Sequence, residues 1–196
     1  MSAVSASVAA APRRRRRRPS RGMVLALVLA TVVAAGVAFA AVTLTRDAAV
    51  PALPPAGTPA LLTADALSAI AAETGHAVYG VAAPAGTRPE VTRGSNGEVW
   101  VRYLGPGAKL GDPRADYLTV GTYRRADALA AAQAAAEGDR SRSAELADGG
   151  LMLWNLDRPE SVYAAGPGSD LLVEVYSPDP EQARELVRGG AVAPLR

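Results

Sequence analysis

The strongest constraint on this chain is an uncharged, apolar run, residues 23–45, that directly follows an arginine-rich segment. As a helix this run would be about 34 Å long, enough to cross a bilayer core about 30 Å thick. Helices buried in a globular core are rarely so long without a charged residue. We therefore predict a transmembrane helix over residues 23–45.

The arginines before this run indicate the orientation of the chain. Seven arginines and no acidic residue precede it, whereas Arg46 and Asp47 follow it and their charges cancel. By the positive-inside rule, residues 1–22 are a cytoplasmic tail, expected to be disordered, of a single-pass protein of the cell membrane. The lipid bilayer and its anionic headgroups, which the arginines should contact, are the expected partners. The topology signal consists of Arg13, Arg14, Arg15, Arg16, Arg17, Arg18 and Arg21.

A cleaved secretory signal peptide is the alternative interpretation. The arginines would then form its positively charged n-region, and Ala38, Phe39 and Ala40 would form an A-x-A cleavage site. The apolar run is longer than the usual signal region of about 7–15 residues, so we favour an uncleaved anchor. Both interpretations place the C-terminal domain outside the cytoplasm, and cleavage after Ala40 would make it a secreted protein.

The composition changes after the apolar run. Residues 46–60 contain four prolines and are predicted to form an extended, Pro/Ala-rich linker. Residues 61–196 carry 13 basic and 18 acidic groups, a net charge of −5, so we expect no nucleic-acid partner for this domain. The chain has no cysteine, and a domain of this length can bury a core without disulfides.

Residues 61–196 alternate between period-two stretches and helical stretches. Asn96-Gly97 is a strong hairpin signal between two of the period-two stretches, and Asp179 is suited to cap the last helix. The helices are predicted at residues 63–75, 125–137 and 180–187, and the strands at residues 77–81, 90–93, 98–104, 117–123, 143–146, 151–156, 162–165 and 171–176.

These elements predict an α+β domain in which a mostly antiparallel sheet has helices on one face. A strand followed by a helix occurs twice at an offset of 53 residues, with Tyr123 aligned to Tyr176. Trp100 and Trp154 each precede their tyrosine in an upstream hairpin. This pattern is that of an internal duplication, although any two strand-to-helix transitions resemble one another.

Few residues are candidates for catalysis. His76 is the only histidine and therefore the one conventional candidate for a general base, with a neighbouring acid to orient it. A lone histidine just after a helix more often has a structural role. With one histidine and no cysteine, the sequence predicts no multi-histidine or thiolate metal site, and it predicts no cofactor.

Paired carboxylates are the other candidates for acid–base chemistry. Asp112 and Asp116 lie on a proline-containing loop, and Asp179, Glu181 and Glu185 lie at the start of a predicted helix. Glycoside hydrolysis needs two carboxylates that face each other across a cleft. Solvent-facing and helix-capping roles explain these acids more simply.

Aromatic residues on the predicted strands are candidates for partner binding. Trp100, Tyr103, Trp154 and Tyr176 all fall within strands. A patch of tyrosine and tryptophan on a sheet face suits an interface, whereas the same residues facing inward belong to the core. The alternation alone leaves open which face they occupy.

Several blocks of the domain carry a resemblance; they are residues 75–79, 101–104, 111–114, 118–123 and 173–176. These blocks resemble uncharacterised single-pass membrane proteins of high-GC, actinobacterial-type bacteria, over about residues 61–196. The resemblance implies no catalytic residue, because that group has no assigned activity.

The sequence thus favours a membrane-anchored, extracytoplasmic binding or interaction module of the cell envelope over an enzyme. No set of acid–base, nucleophilic or metal-binding residues is assembled, so the expected partner is another protein or component of the envelope. The alternatives are a membrane-tethered hydrolase that uses His76 and a secreted protein cleaved after Ala40.

Overall fold

The computed structural model describes residues 55–63 and 70–195. The predicted tail (residues 1–22) and the predicted transmembrane helix (residues 23–45) lie outside these residues. Within the described part, none of the helices combines the length and the apolar character needed to cross a bilayer. Residues 70–73 are helical. The other elements, in chain order, are β1 (Ala60–Leu61), β2 (Tyr79–Gly80), β3 (Arg88–Arg93), β4 (Val99–Leu104), β5 (Thr119–Arg124), α1 (Ala128–Ala136), β6 (Ser141–Glu145), β7 (Leu151–Asn155), β8 (Arg158–Ala165), β9 (Leu171–Tyr176), α2 (Pro180–Arg188) and β10 (Ala193–Pro194).

Eight of these strands form one antiparallel sheet in the order β1-β3-β4-β5-β9-β8-β7-β6. At its centre β5 pairs with β9, and Thr119 lies opposite Tyr176. The predicted hairpin between β3 and β4 is confirmed. Its turn contains Asn96-Gly97, and Gly97 has a φ of +86°, a conformation that residues with a side chain rarely adopt.

The inner face of the sheet, to which Val101, Val120 and Val175 point, holds the main core. These valines are fully buried, and each contributes about 1.5–3 kcal/mol of transfer free energy relative to exposure. Ile70, in the helical segment of residues 70–73 (the first helical segment), and Ala183 of α2 pack against them. The first helical segment and α2 therefore cover the inner face.

Helix α2 begins where the sequence predicts. Asp179 accepts hydrogen bonds from the backbone N–H groups of Glu181 and Gln182, at 3.0 and 3.4 Å, which confirms its role as the N-cap. Pro180 occupies the first turn, where its missing N–H is of no consequence. Gly189 ends the helix.

The outer face, opposite to the inner one, is covered at one end by α1. Ala128 and Ala132 of this helix pack on Leu153 and Ala165 of the sheet. Because alanine side chains are short, the helix lies close to the strands. Its observed start, after Asp127, is later than the predicted residue 125, and Asp127 makes no side-chain cap.

The loop of residues 105–118 covers the opposite end of the outer face. Glu90, which is fully buried, holds the loop in place. One carboxylate oxygen accepts from Arg102 at 2.9 Å, and the other accepts from the backbone N–H of Gly111 at 2.6 Å. Arg102 also donates to two carbonyl oxygens of the loop, at 2.7 and 3.0 Å. This ion pair, in which Glu90 is buried and Arg102 partly exposed, is therefore one of the bonds that join the loop to the sheet.

The expected fold of the C-terminal domain, α+β with helices on one face of a mostly antiparallel sheet, is wrong in the placement and weight of its helices. The described domain is dominated by the eight-stranded sheet, and α1 and α2 lie on opposite faces. The reason is visible in β7, which is apolar at consecutive positions. Met152 is buried on the inner face, and Leu153 is buried beneath α1 on the outer face. A strand that is apolar on both sides needs cover on both sides.

The expected internal duplication does not describe the packing either. The strands do repeat, since β3-β4-β5 and β7-β8-β9 are arranged symmetrically about the sheet centre. However, the helices that follow β5 and β9 lie on opposite faces. Trp100 lies on the outer face, whereas its supposed counterpart Trp154 packs against the inner core.

Candidate functional site

A strip of the outer face between α1 and the loop of residues 105–118 stays partly exposed. The strand register places Trp100 beside Gly121, Gly121 beside Glu174, and Glu174 beside Tyr163, in one row across four strands. Trp100, Glu174 and Tyr163 of this row are half-buried, whereas the inner-face neighbours of Trp100 and Glu174 along β4 and β9 are buried. The side chain of Tyr123 lies on the same face, with its hydroxyl close to Gly121 of this row. We call Trp100, Tyr123, Tyr163 and Glu174 the aromatic strip.

A chain of hydrogen bonds connects the four side chains of the aromatic strip. The indole N–H of Trp100 donates to the hydroxyl of Tyr123 at 2.9 Å. Tyr123 donates to Oε2 of Glu174 at 2.6 Å, and Tyr163 donates to Oε1 at 2.9 Å. The carboxylate is therefore held by two phenol donors and is fixed in orientation.

Two glycines allow the indole of Trp100 to lie close to the sheet. A Cβ at Gly121 would stand 3.1 Å from Cδ1 of the indole, and a Cβ at Gly94 would stand 3.0 Å from its Cη2. A Cβ at Gly121 would also approach the hydroxyl of Tyr123 to 2.8 Å. The rings of Trp100 and Tyr123 meet edge to face, with centroids 6.0 Å apart. Glycine at these positions is thus a requirement of the site.

Both tyrosines of the strip hold their protons firmly. Burial raises the pKa of Tyr123 and of Tyr163 well above the ordinary value of 10.0, and the negative charge of Glu174 raises both further. The hydrogen bond from Trp100 partly offsets this for Tyr123. Both hydroxyls therefore act as donors at neutral pH, and the carboxylate acts as an acceptor.

No known protein family, characterised protein or solved structure matches this chain. What the domain can bind must follow from its own chemistry. Within the described residues, no group of three histidine, aspartate or glutamate side chains could hold a metal ion. The arginines of the topology signal lie outside the described residues.

His76, the candidate general base, is engaged by the backbone. Its Nδ1 lies 2.8 Å from the carbonyl oxygen of Ala77, and its Nε2 lies 3.1 Å from that of Gly97. Both ring nitrogens thus face acceptors, and no carboxylate orients the ring in the described part of the chain. His76 ties the segment after the first helical residues to the β3–β4 turn, which is a structural role.

We expect His76→Ala to lower the free energy of unfolding by about 1 kcal/mol, the usual contribution of such a hydrogen bond. Urea denaturation of the wild-type chain and the variant measures this change. The hydrolase hypothesis makes the opposite prediction: an esterase or peptidase activity of the wild type that vanishes in a variant of unchanged stability.

The paired carboxylates have structural partners as well. Asp112 and Asp116 both contact Arg114, with nitrogen–oxygen distances of 3.0 and 3.5 Å. Hydrogen bonds from Arg114 hold the pKa of Asp112 well below its ordinary range. Glu181 pairs with Arg184 at 2.6 Å on α2. None of these pairs has the arrangement of two carboxylates across a cleft.

The four aromatic residues expected on strands divide between the two faces. Trp100 lies on the outer face, and so does Tyr176, which donates to the carbonyl oxygen of Ala115 in the loop. Tyr103 lies on the inner face and bonds to the backbone of residue 81. Trp154 also lies there, beneath the guanidinium of Arg184. Of this set, only Trp100 and Tyr176 therefore lie on the outer face, where a shared patch would need them.

Sequence reasoning missed Glu174 and Tyr163. A charged residue between Val173 and Val175 indicates a solvent-facing position on a strand. Nothing in the spacing indicates that two tyrosines from neighbouring strands hold its carboxylate. The one available signal is that Trp100 and Glu174 each alternate with valines along their strands, which places them on the face opposite to the valines. Only the order of the strands in the sheet shows that they belong to the same row.

Proposed function

We propose that this chain is a protein-binding module that works outside the cytoplasm at the cell membrane, and that the aromatic strip is its binding surface. The observation that supports this is the half-buried row of Trp100, Tyr123, Glu174 and Tyr163. Helix α1 and the loop of residues 105–118 cover the outer face on either side of this row and leave it partly exposed.

The composition of the strip is that of an interface. Tyrosine and tryptophan are enriched at the centres of protein interfaces, because each supplies a large apolar area with few rotamers and one polar atom. The strip is also rigid, since Trp100, Tyr123 and Tyr163 are hydrogen-bonded to one another or to Glu174. A rigid surface loses little conformational entropy on binding.

The location is supported by the sequence rather than by the described residues. The seven arginines before residue 23 and the uncharged run of residues 23–45 favour a cytoplasmic N-terminus and an extracytoplasmic domain. A C-terminal tag on the full chain should therefore be digested by protease added to intact cells, while the protein stays with the membrane fraction. A protected tag would contradict the proposed location. A mature chain that begins at residue 41 would instead support secretion.

Site-specific photo-crosslinking in cells tests the binding surface. We expect a crosslinkable residue at Thr92, which pairs with Trp100 across the sheet, to give one saturable protein adduct. Its yield should fall about tenfold in Trp100→Ala, as expected for an interfacial tryptophan. Leu156, an exposed residue outside the strip, is the matched control position. Equal yields at Thr92 and Leu156, or a yield that Trp100→Ala leaves unchanged in a folded variant, would refute the proposal.

A further inference from the structure

Glu174 has hydrogen-bond donors but no positive partner. Some other carboxylates of the described domain pair with a guanidinium, for example Glu90 with Arg102 and Glu181 with Arg184. Glu174 forms no ion pair with any basic side chain in residues 55–63 and 70–195. A half-buried carboxylate without a counter-charge is costly, and a cation that reaches it would remove that cost.

The carboxylate also keeps capacity for further bonds. Two carboxylate oxygens offer about four acceptor positions, and the phenols of Tyr123 and Tyr163 use two of them. Both phenols are already donors to Glu174, so the remaining positions need donors from outside the domain. A guanidinium is suited to this, because its planar set of N–H groups matches the geometry of a carboxylate.

Aromatic rings beside the carboxylate favour the same type of group. The faces of indole and phenol rings attract cations. Elsewhere in this domain guanidinium groups lie over aromatic rings: Arg102 is 5.1 Å from the ring centroid of Tyr117, and Arg184 is 5.5 Å from that of Trp154. Within the described residues Trp100 has no such cation, although Tyr123 links it by hydrogen bonds to a carboxylate without an ion-pair partner.

We propose that the aromatic strip binds an arginine side chain of a partner protein, with its guanidinium on the free positions of the Glu174 carboxylate and against Trp100. This inference rests on the proposed function and specifies the partner's chemistry. The net charge of −5 over residues 61–196 supports it, because a negative domain attracts basic segments over a distance.

The two tryptophans of the chain supply a direct readout. The full chain, labelled with ¹⁵N and held in detergent, should give one indole N–H resonance from Trp100 and one from Trp154. The probes are three blocked tripeptides, Gly-X-Gly, in which X is arginine, lysine or citrulline. Citrulline has the shape of arginine without its charge. Trp154 lies on the inner face and is the internal control.

We expect the Trp100 resonance to move saturably with the arginine peptide, less with the lysine peptide and not with the citrulline peptide. The Trp154 resonance should stay in place. Glu174→Gln should weaken binding of the arginine peptide about tenfold or more, since it removes a charge-assisted hydrogen bond and keeps the shape of the side chain. Gly121→Ala places a methyl group against Tyr123 and Trp100, so it should also weaken binding of the arginine peptide while the domain stays folded.

Other outcomes would overturn the inference. A site that recognises charge is excluded if the Trp100 resonance does not move with the arginine peptide or moves equally with the citrulline peptide. It is also excluded if the resonance moves with a neutral sugar, such as N-acetylglucosamine, and not with the arginine peptide. A starting resonance that shifts when Arg13–Arg18 are changed to glutamine would show that the chain's own arginines occupy the strip. If crosslinking at Thr92 persists while the peptide fails, the proposed function stands and the arginine assignment falls.

Discussion

Replacing Glu90 with alanine is expected to lower the free energy of unfolding by about 3 kcal/mol, because it leaves a partly buried guanidinium without its anion. Glu90 is fully buried, and its carboxylate bonds both to Arg102 and to the backbone N–H of Gly111. Without it, Arg102 keeps only its carbonyl acceptors, and the loop of residues 105–118 loses its bond from Gly111 to the sheet. Urea denaturation measures the loss.

Two comparisons separate this effect from a general sensitivity to lost charges. Asp157→Ala removes the partner of Arg140 from an ion pair in which both side chains are about 60 % exposed, and should cost less than about 1 kcal/mol. Proteolysis of native Glu90→Ala should cut within residues 105–118 first. A Glu90→Ala variant as stable as Asp157→Ala, with an intact loop, would show that Glu90 does not anchor the loop.

The local structure of this domain was predictable because it depends on neighbours in sequence. The Asn96-Gly97 hairpin follows from the φ value that Gly97 needs, and the start of α2 follows from the hydrogen bonds of Asp179. Strands β4 and β9 were visible because valines alternate with polar or aromatic residues. These signals act over a few residues, and tertiary packing did not override them.

The sheet order and the cover of each face were not predictable in this way. The pairing of β5 with β9 joins residues such as Thr119 and Tyr176, and no local pattern specifies it. The continuous apolar run of β7 does predict burial on both faces of the sheet. The expectation that helices cover only one face is inconsistent with that run. The roles of Glu90 and Glu174 leave no local signal either, because their partners come from other strands and from a loop.

Two glutamates of the outer face therefore have different roles, although both lie on strands of the same sheet, Glu90 on β3 and Glu174 on β9. Glu90 has a guanidinium partner and holds the loop, so its interactions are complete within the domain. Glu174 has only neutral donors. This contrast is the basis for assigning stability to Glu90 and recognition to Glu174. It predicts that Glu174→Gln costs about 1 kcal/mol at neutral pH, less than Glu90→Ala, because the amide oxygen of glutamine accepts from only one of the two phenols.

The domain is expected to lose stability steeply as the pH rises above 10. Burial, and next the charge of Glu174, raise the pKa of Tyr123 and of Tyr163 above the 10.0 of an exposed tyrosine. Below pH 10 both the folded and the unfolded chain keep these protons, so the stability is fully present. Above pH 10 the unfolded chain releases them first, and the free energy of unfolding falls until the folded pKa is reached. Each tyrosine contributes about 1.4 kcal/mol per pH unit.

Urea denaturation between pH 8 and 11.5, with tyrosinate absorbance recorded in parallel, measures this loss. Tyr123 and Tyr163 should ionise only as the domain unfolds. The double variant Tyr123→Phe/Tyr163→Phe starts from a lower stability, because it lacks the hydrogen bonds to Glu174, but its slope above pH 10 should be shallower by about 3 kcal/mol per pH unit. Glu174→Gln should flatten the slope only in part, because burial is the larger cause of both shifts. If Tyr123 and Tyr163 ionise near pH 10 in the folded chain, their hydroxyls are not shielded by burial, and the hydrogen-bonded row does not persist in solution.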